Sequence, residues 1–195
     1  IVAYQYRIDG SALSAETPKA TPITLSELSE GVHTVSVIGR DSNGNWQSED
    51  SATVTSWTID LTAPFAVLSG APSGIVNTTT ANITVGGVDV VAYKYKLDEG
   101  SLSDENPASA PIILSALSEG RHTLSVIASD SVGNWQTLDN ATRTTWAVDV
   151  MPPTATLFGQ PEGVVNTTGA DIRVGGAGVR TYKYSLDNSP FGAEI

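Results

Sequence analysis

The chain reads as all-β, a tandem array of β-sandwich repeats 89 residues apart. Three observations predict this. Tyr4-Gln5-Tyr6 returns as Tyr93-Lys94-Tyr95 and as Tyr182-Lys183-Tyr184, at one fixed offset. Asp41-Ser42-Asn43-Gly44-Asn45-Trp46 returns as Asp130-Ser131-Val132-Gly133-Asn134-Trp135 without insertion or deletion, and more than half of the aligned positions are identical. Between these landmarks apolar residues alternate with polar ones at the period of two that a half-buried strand requires, and no helical period is present. A unit of 89 residues is too long for a solenoid turn and fits a whole small sandwich, for which about 100 residues is usual.

Thr62-Ala63-Pro64 and Met151-Pro152-Pro153 follow strand-like runs, and because proline cannot continue a ladder both read as linkers. They divide the chain into residues 1–62, a partial repeat with late strands; 63–151, a complete repeat; and 152–195, a partial repeat with early strands. A window on a longer array is the first expectation for such ends. The second is that chains complete one another by strand complementation, with the strand of Tyr4 and Tyr182 then present twice.

In the complete repeat Ala66-Val67-Leu68 opens the strand series, and Ala81 to Val85 follows the Asn77-Thr78-Thr79-Thr80 turn cluster. Tyr93, Tyr95 and Leu97 alternate with Lys94, Lys96 and Asp98, which predicts a strand with its aromatic side inward. A loop rich in Ser, Asp and Pro leads to Pro111-Ile112-Ile113-Leu114. In the next strand His122, Leu124, Val126 and Ala128 share the core face, opposite Thr123, Ser125, Ile127 and Ser129. The last runs from Ala141 to Asp149 with Trp146 and Val148 inward.

Composition narrows function by exclusion. A net charge of −11 lacks the basic patch that a phosphate backbone or an anionic membrane requires. With no cysteine, disulfides, thiolate chemistry and Cys-ligated metals are excluded. No apolar run has the roughly 18 residues of a membrane-spanning helix. Ser and Asp are plentiful, but no nucleophile elbow or other catalytic signature accompanies them, so no enzyme is expected.

His33 and His122 occur once per repeat on an inward face, which suits a structural role, since a lone histidine is not a metal site. The Asp41 and Asp130 loops place oxygen side chains close together, but Val132 replaces Asn43 in the second copy and no glutamate stands at a twelfth position, which excludes an EF-hand. A turn in which Gly and Asn take positive φ and Asp caps the bend explains them. Trp57 and Trp146 are expected to pack; Trp46 and Trp135, which follow turns, are the candidates for an exposed aromatic platform. Asn77, Asn82, Asn140 and Asn166 each begin an Asn-x-Thr glycan-acceptor sequon near a turn or strand end.

The run from Leu114 to Val126, followed by Asp130-x-x-Gly133-Asn134, resembles the late strands of bacterial Ig-like domains, which are strung along large surface adhesins. The exit Trp57-Thr58-Ile59-Asp60-Leu61-Thr62-Ala63-Pro64 is similar to theirs; the second copy departs from it at Val150-Met151-Pro152-Pro153. The same run resembles fibronectin type III modules, with His33 and His122 at the position of the corner tyrosine. The resemblance implies tandem immunoglobulin-like/fibronectin III-like sandwiches in a secreted or cell-surface fibre or adhesin stalk. It also implies neighbouring copies as partners in cis or head to tail, and surface glycans as targets. Calcium at the domain junctions follows from it too, held by Asp60 or Asp149 with Asp41 and Asp130 of a neighbouring turn. A ring nitrogen of each corner histidine is expected to bond a backbone group of the preceding turn. A carbohydrate-binding or accessory module of a secreted enzyme is the alternative, and would stop after one to three copies.

Overall fold

A computed structural model describes residues 1–195. Its elements are strands apart from one 3-10 turn at Glu49–Ser51. The chain divides into two compact units, one of residues 1–71, 82–112 and 123–144, the other of residues 72–81, 113–122 and 145–195.

The strands of residues 1–62 are β1 (Ala3–Ile8), β2 (Thr17–Pro18), β3 (Gly31–Arg40) and β4 (Thr53–Ile59). They form one sheet in the order β2-β1-β3-β4. Alternation fixes the register: Tyr4 faces Gly39 and His33 faces Trp57, so the apolar set of each strand lies on one side.

The complete repeat adds β5 (Val67–Ser69), β6 (Gly74–Val76), β7 (Ala81–Gly86), β8 (Ala92–Leu97), β9 (Asn106–Pro107), β10 (Ile112–Leu114), β11 (Gly120–Ser129) and β12 (Thr142–Val148). These make two sheets, β10-β7-β5 and β6-β12-β11-β8-β9. This is the order of an immunoglobulin-like or fibronectin III-like sandwich, in which the opening segment splits between the sheets. Here β5 pairs antiparallel with β7, while β6 crosses over to pair parallel with β12. Residues 152–195 contribute β13 (Thr156–Phe158) and β14 (Arg173–Gly175), an antiparallel pair.

β6 and β9 are strands that the sequence pattern does not reveal. β11 differs as well: from Leu124 to Ser129 both faces are buried, including Ser125, Ile127 and Ser129. As a central strand it is covered by the core on one side. The first copy shows what covers the other: Arg7, Leu13, Ile38, Glu49 and Ala52 close together there. Tyr93 is 1% exposed, but Tyr95 and Leu97 are only half-buried, because they run toward the open end of β8.

Gln136 joins the layers. Its Oε1 accepts the N–H of Ala128 at 2.9 Å and of Ala66 at 3.2 Å, and its Nε2 donates to the Asn140 carbonyl at 3.0 Å. Thr142 Oγ1 donates to the Ala66 carbonyl at 2.8 Å. A buried backbone N–H left without a partner costs about 1–3 kcal/mol. Gln136→Ala strands two of them and is expected to destabilise the complete repeat by about 2–4 kcal/mol in urea titrations followed by tryptophan fluorescence.

Candidate functional site

The linker Thr62-Ala63-Pro64 runs along a cleft of about 630 Å³ in the first unit. Phe65, Val67 and Val88 present exposed apolar surface there, and Glu30, Asp60 and Asp89 add carboxylates. Thr62 anchors the linker. Its Oγ1 donates to the Glu30 carboxylate at 2.8 and 2.9 Å, and its N–H donates to Asp60 Oδ1 at 3.0 Å. Asn134 Nδ2 donates to the Asp60 carbonyl at 3.0 Å. The second exit repeats the device: Val150 N–H donates to Glu119 Oε2 at 3.0 Å and Met151 N–H to Asp149 Oδ1 at 3.3 Å.

The turn carboxylates are occupied in the same way. Asp41 Oδ1 accepts the N–H groups of Asn43 and Asn45, and its Oδ2 accepts Asn45 Nδ2 at 2.9 Å. The Asn45 side chain above all holds its carboxyl below the usual range. Burial alone would raise Asp130, but the backbone and side-chain N–H groups of Asn134, with those of Val132 and Gly133, outweigh it and the net shift is downward. In these turns only Gly44 and Gly133 take positive φ; the asparagines do not, since Asp supplies the acceptor that closes the loop. Asp41, Asp130, Asp60 and Asp149 thus each cap a local N–H, and no three His, Asp or Glu side chains gather in the chain. Calcium asks for six to eight converging oxygens. Here those four carboxylates accept N–H groups.

His33 is 5% exposed and spans two acceptors, with Nε2 2.7 Å from the Ser29 carbonyl and Nδ1 2.8 Å from Asp9 Oδ2. Both partners offer acceptor oxygens, so the geometry favours the form of the ring that carries a proton on each nitrogen. Asp9 Oδ1 also accepts the Thr34 N–H at 2.7 Å. The Ser29 carbonyl, then Asp9, raise the His33 pKa above its ordinary 6.5, and the His33 bond, then the Thr34 N–H, lower Asp9 below its ordinary 3.8. In the complete repeat His122 Nε2 lies 2.9 Å from the Ser118 carbonyl.

Each tryptophan has a ring or a cation beside it. His33 lies 6.0 Å from Trp57 and His122 5.8 Å from Trp146, ring centre to ring centre. The Arg40 guanidinium sits over Trp46 and the Lys94 ammonium 4.6 Å over Trp135. Trp46 is 37% exposed and Trp135 half-buried; the most open aromatics are instead Phe65, Phe158, Tyr184 and Phe191. Asn77, Asn82, Asn140 and Asn166 are all exposed. Sequence reasoning passed over Glu30, Thr62, Asp9 and the two glutamines. Gln47 and Gln136 follow Trp46 and Trp135 at one repeat spacing, a signal that was there to be used.

No family model matches the chain, and no curated protein does. Among solved structures it is similar to the fibronectin(III)-like modules of Clostridium thermocellum CbhA, at 18% identity and a TM-score of 0.38, over 76% of this chain and 78% of that one. It is also similar to the central fibronectin-III array of RIM-binding protein, at 13% identity and a TM-score of 0.31, over 83% and 64%. A third is SGBP-B of the Bacteroides ovatus mixed-linkage glucan utilization locus, solved in complex with mixed-linkage heptasaccharide, at 16% identity and a TM-score of 0.26, over 83% and 42%. The class assigned to the chain, a tandem immunoglobulin-like or fibronectin III-like sandwich, rests on its own strand order. No helix is long and apolar enough to cross a membrane.

Stability from the His33–Asp9 pair should be full between the two ordinary values, 3.8 and 6.5. It falls as pH drops through the lowered Asp9 pKa, and again as pH rises through the raised His33 pKa. Urea denaturation across pH checks this, with His33→Gln expected to flatten the alkaline limb. Because the junction carboxylates are satisfied by N–H groups, a calcium chelator is expected to leave the melting temperature unchanged.

Proposed function

We propose that this chain is a non-enzymatic structural segment of a secreted or cell-surface fibre, such as an adhesin stalk, whose work is reach and cohesion and which needs no cofactor. The observation that carries it is the 89-residue unit returned in register together with its junction chemistry. Glu30 reaches Thr62 of the first linker and Glu119 the N–H of Val150, which leads into the second, so each joint is tied to the domain before it. A joint of this kind makes a spacer whose length is set by the number of units. Each elongated sandwich adds roughly 35–40 Å if its strands have ordinary length. Neighbouring copies of the repeat are its partners.

A sugar-stacking module finds less support. Such a platform needs open aromatic faces, and each of the four tryptophans has a histidine, arginine or lysine beside it. One measurement separates the readings. Stretching the parent protein should give uniform unfolding steps of about 250–290 Å, the extended length of 89 residues less the folded domain. One to three such steps beside a catalytic domain would overturn the stalk.

A further inference from the structure

We propose that Asn134, Trp135 and Gln136 form a clasp for the linker that enters their repeat, so that the Asp130 turn is the seat on which the exit of the preceding repeat rests. The proposal rests on the spacer reading and deepens it, by naming the surface where neighbouring units meet and the atoms that bind there.

Two bonds hold the linker at its two ends. Asn134 Nδ2 donates at 3.0 Å to the carbonyl of Asp60, the residue that follows β4. Gln136 Oε1 accepts at 3.2 Å the N–H of Ala66, the residue that precedes β5. Alternate residues of an extended segment share a face. Asn134 and Gln136 therefore meet the linker together, while Trp135 turns the other way, toward the Lys94 ammonium.

Each clasping amide is held from behind by its own repeat. Asp130 Oδ2 accepts Asn134 Nδ2 at 2.7 Å, so one amide hydrogen is pinned by the turn and the other is left for Asp60. Gln136 Nε2 donates to the Asn140 carbonyl at 3.0 Å, which sets its Oε1 toward Ala66. The backbone of the segment is strapped to β11, because Trp135 bridges Ser129 and the Gln136 N–H donates to the Ala128 carbonyl at 2.9 Å. Ala128 is wholly buried, so the strap is anchored in the core. The same pose stands 89 residues earlier, where Asn45 Nδ2 donates to Asp41 Oδ2 at 2.9 Å and Gln47 Nε2 donates to the Ser51 carbonyl. The pose belongs to the turn and its loop, and the linker is not needed to induce it. Side chains ordered before a contact forms lose little entropy in making it.

The linker is shaped for the clasp from its own side. Asp60 Oδ1 accepts the Thr62 N–H at 3.0 Å and Glu30 accepts the Thr62 hydroxyl, a turn that leaves the Asp60 carbonyl to Asn134. At the other end Phe65 lies against Gly87, where an added Cβ would run into the Phe65 carbonyl. Gly176 receives Thr154 in the same way at the second joint. A chain gripped at Asp60 and again at Ala66 keeps a set geometry and does not swing as a flexible tether.

Limited proteolysis of the 195-residue chain with chymotrypsin, followed by mass spectrometry, tests this. Leu61 and Phe65 are 66% and 67% exposed, so the protease can reach both side chains, and cleavage reports whether the backbone between Asp60 and Ala66 comes free. Tyr93 is buried and reports unfolding of the complete repeat in the same digest. When opening is fast compared with cleavage, the rate follows the population of the open form. Asn134→Ala removes one of the two grips and should raise cleavage after Leu61 and Phe65 roughly fivefold, while cleavage after Tyr93 stays much the slower. Asn45→Ala makes the same change in a turn that does not touch this linker, and should leave linker cleavage as it was. Linker cleavage unchanged by Asn134→Ala, raised equally by Asn45→Ala, or running at the rate of cleavage after Tyr93 would overturn the proposal. Any of these leaves the spacer reading to its own test, the number of uniform steps in the stretched parent.

Discussion

An apolar sheet face in water has to be covered, and this chain is organised around that demand. Alternation at period two gives each strand one side rich in Val, Ile, Leu and aromatic residues. A sheet built from such strands is half a structure until a second layer meets it. In residues 63–151 both layers are present and the facing residues fall to a few per cent exposure or less. Around them the same residue types at the same repeat positions are left part-open.

Hydrogen bonding enforces the same demand at the level of atoms. Gln136 takes one N–H from each layer, so it measures whether the second layer has arrived. A hydrophobic contact tolerates sliding; two donors converging on one amide oxygen do not. The corner histidines act within one layer instead. In the first copy the buried His33 ring holds the entry of β3 against a turn carbonyl on one side and the Asp9 turn on the other. Exchanging a tyrosine corner for a histidine replaces one neutral bond by a charged, two-ended one, and makes that corner sensitive to pH.

Much of this was legible in the residues. The period, the long strands β3 and β11 and the inward Trp146 all follow from alternation and turn chemistry. β6 escaped because three residues, Gly74-Ile75-Val76, carry too short a pattern, and their partner lies in a parallel strand some seventy residues on. The double burial of β11 escaped because Ser125 and Ser129 look like a solvent face; a central strand buries small polar residues where a loop folds over it. The Asp9 partner of His33 is set by a turn 24 residues away, which no local pattern records. Asp41, Asp60, Asp130 and Asp149 each accept a nearby backbone N–H. Their oxygens serve backbone donors, a use that composition cannot separate from ion binding.

The crossing of β6 from one sheet to the other carries a mechanical consequence. β6 runs parallel to β12, with Gly74 beside Trp146 and Val76 beside Val148. Tension that reaches this pair arrives at the start of β6 and at the end of β12, so it slides the two strands lengthwise past each other. Bonds loaded in shear share the force and fail together, whereas bonds at the mouth of a hairpin unzip singly. In a repeat pulled from its two ends, this short strand would therefore act as a clamp.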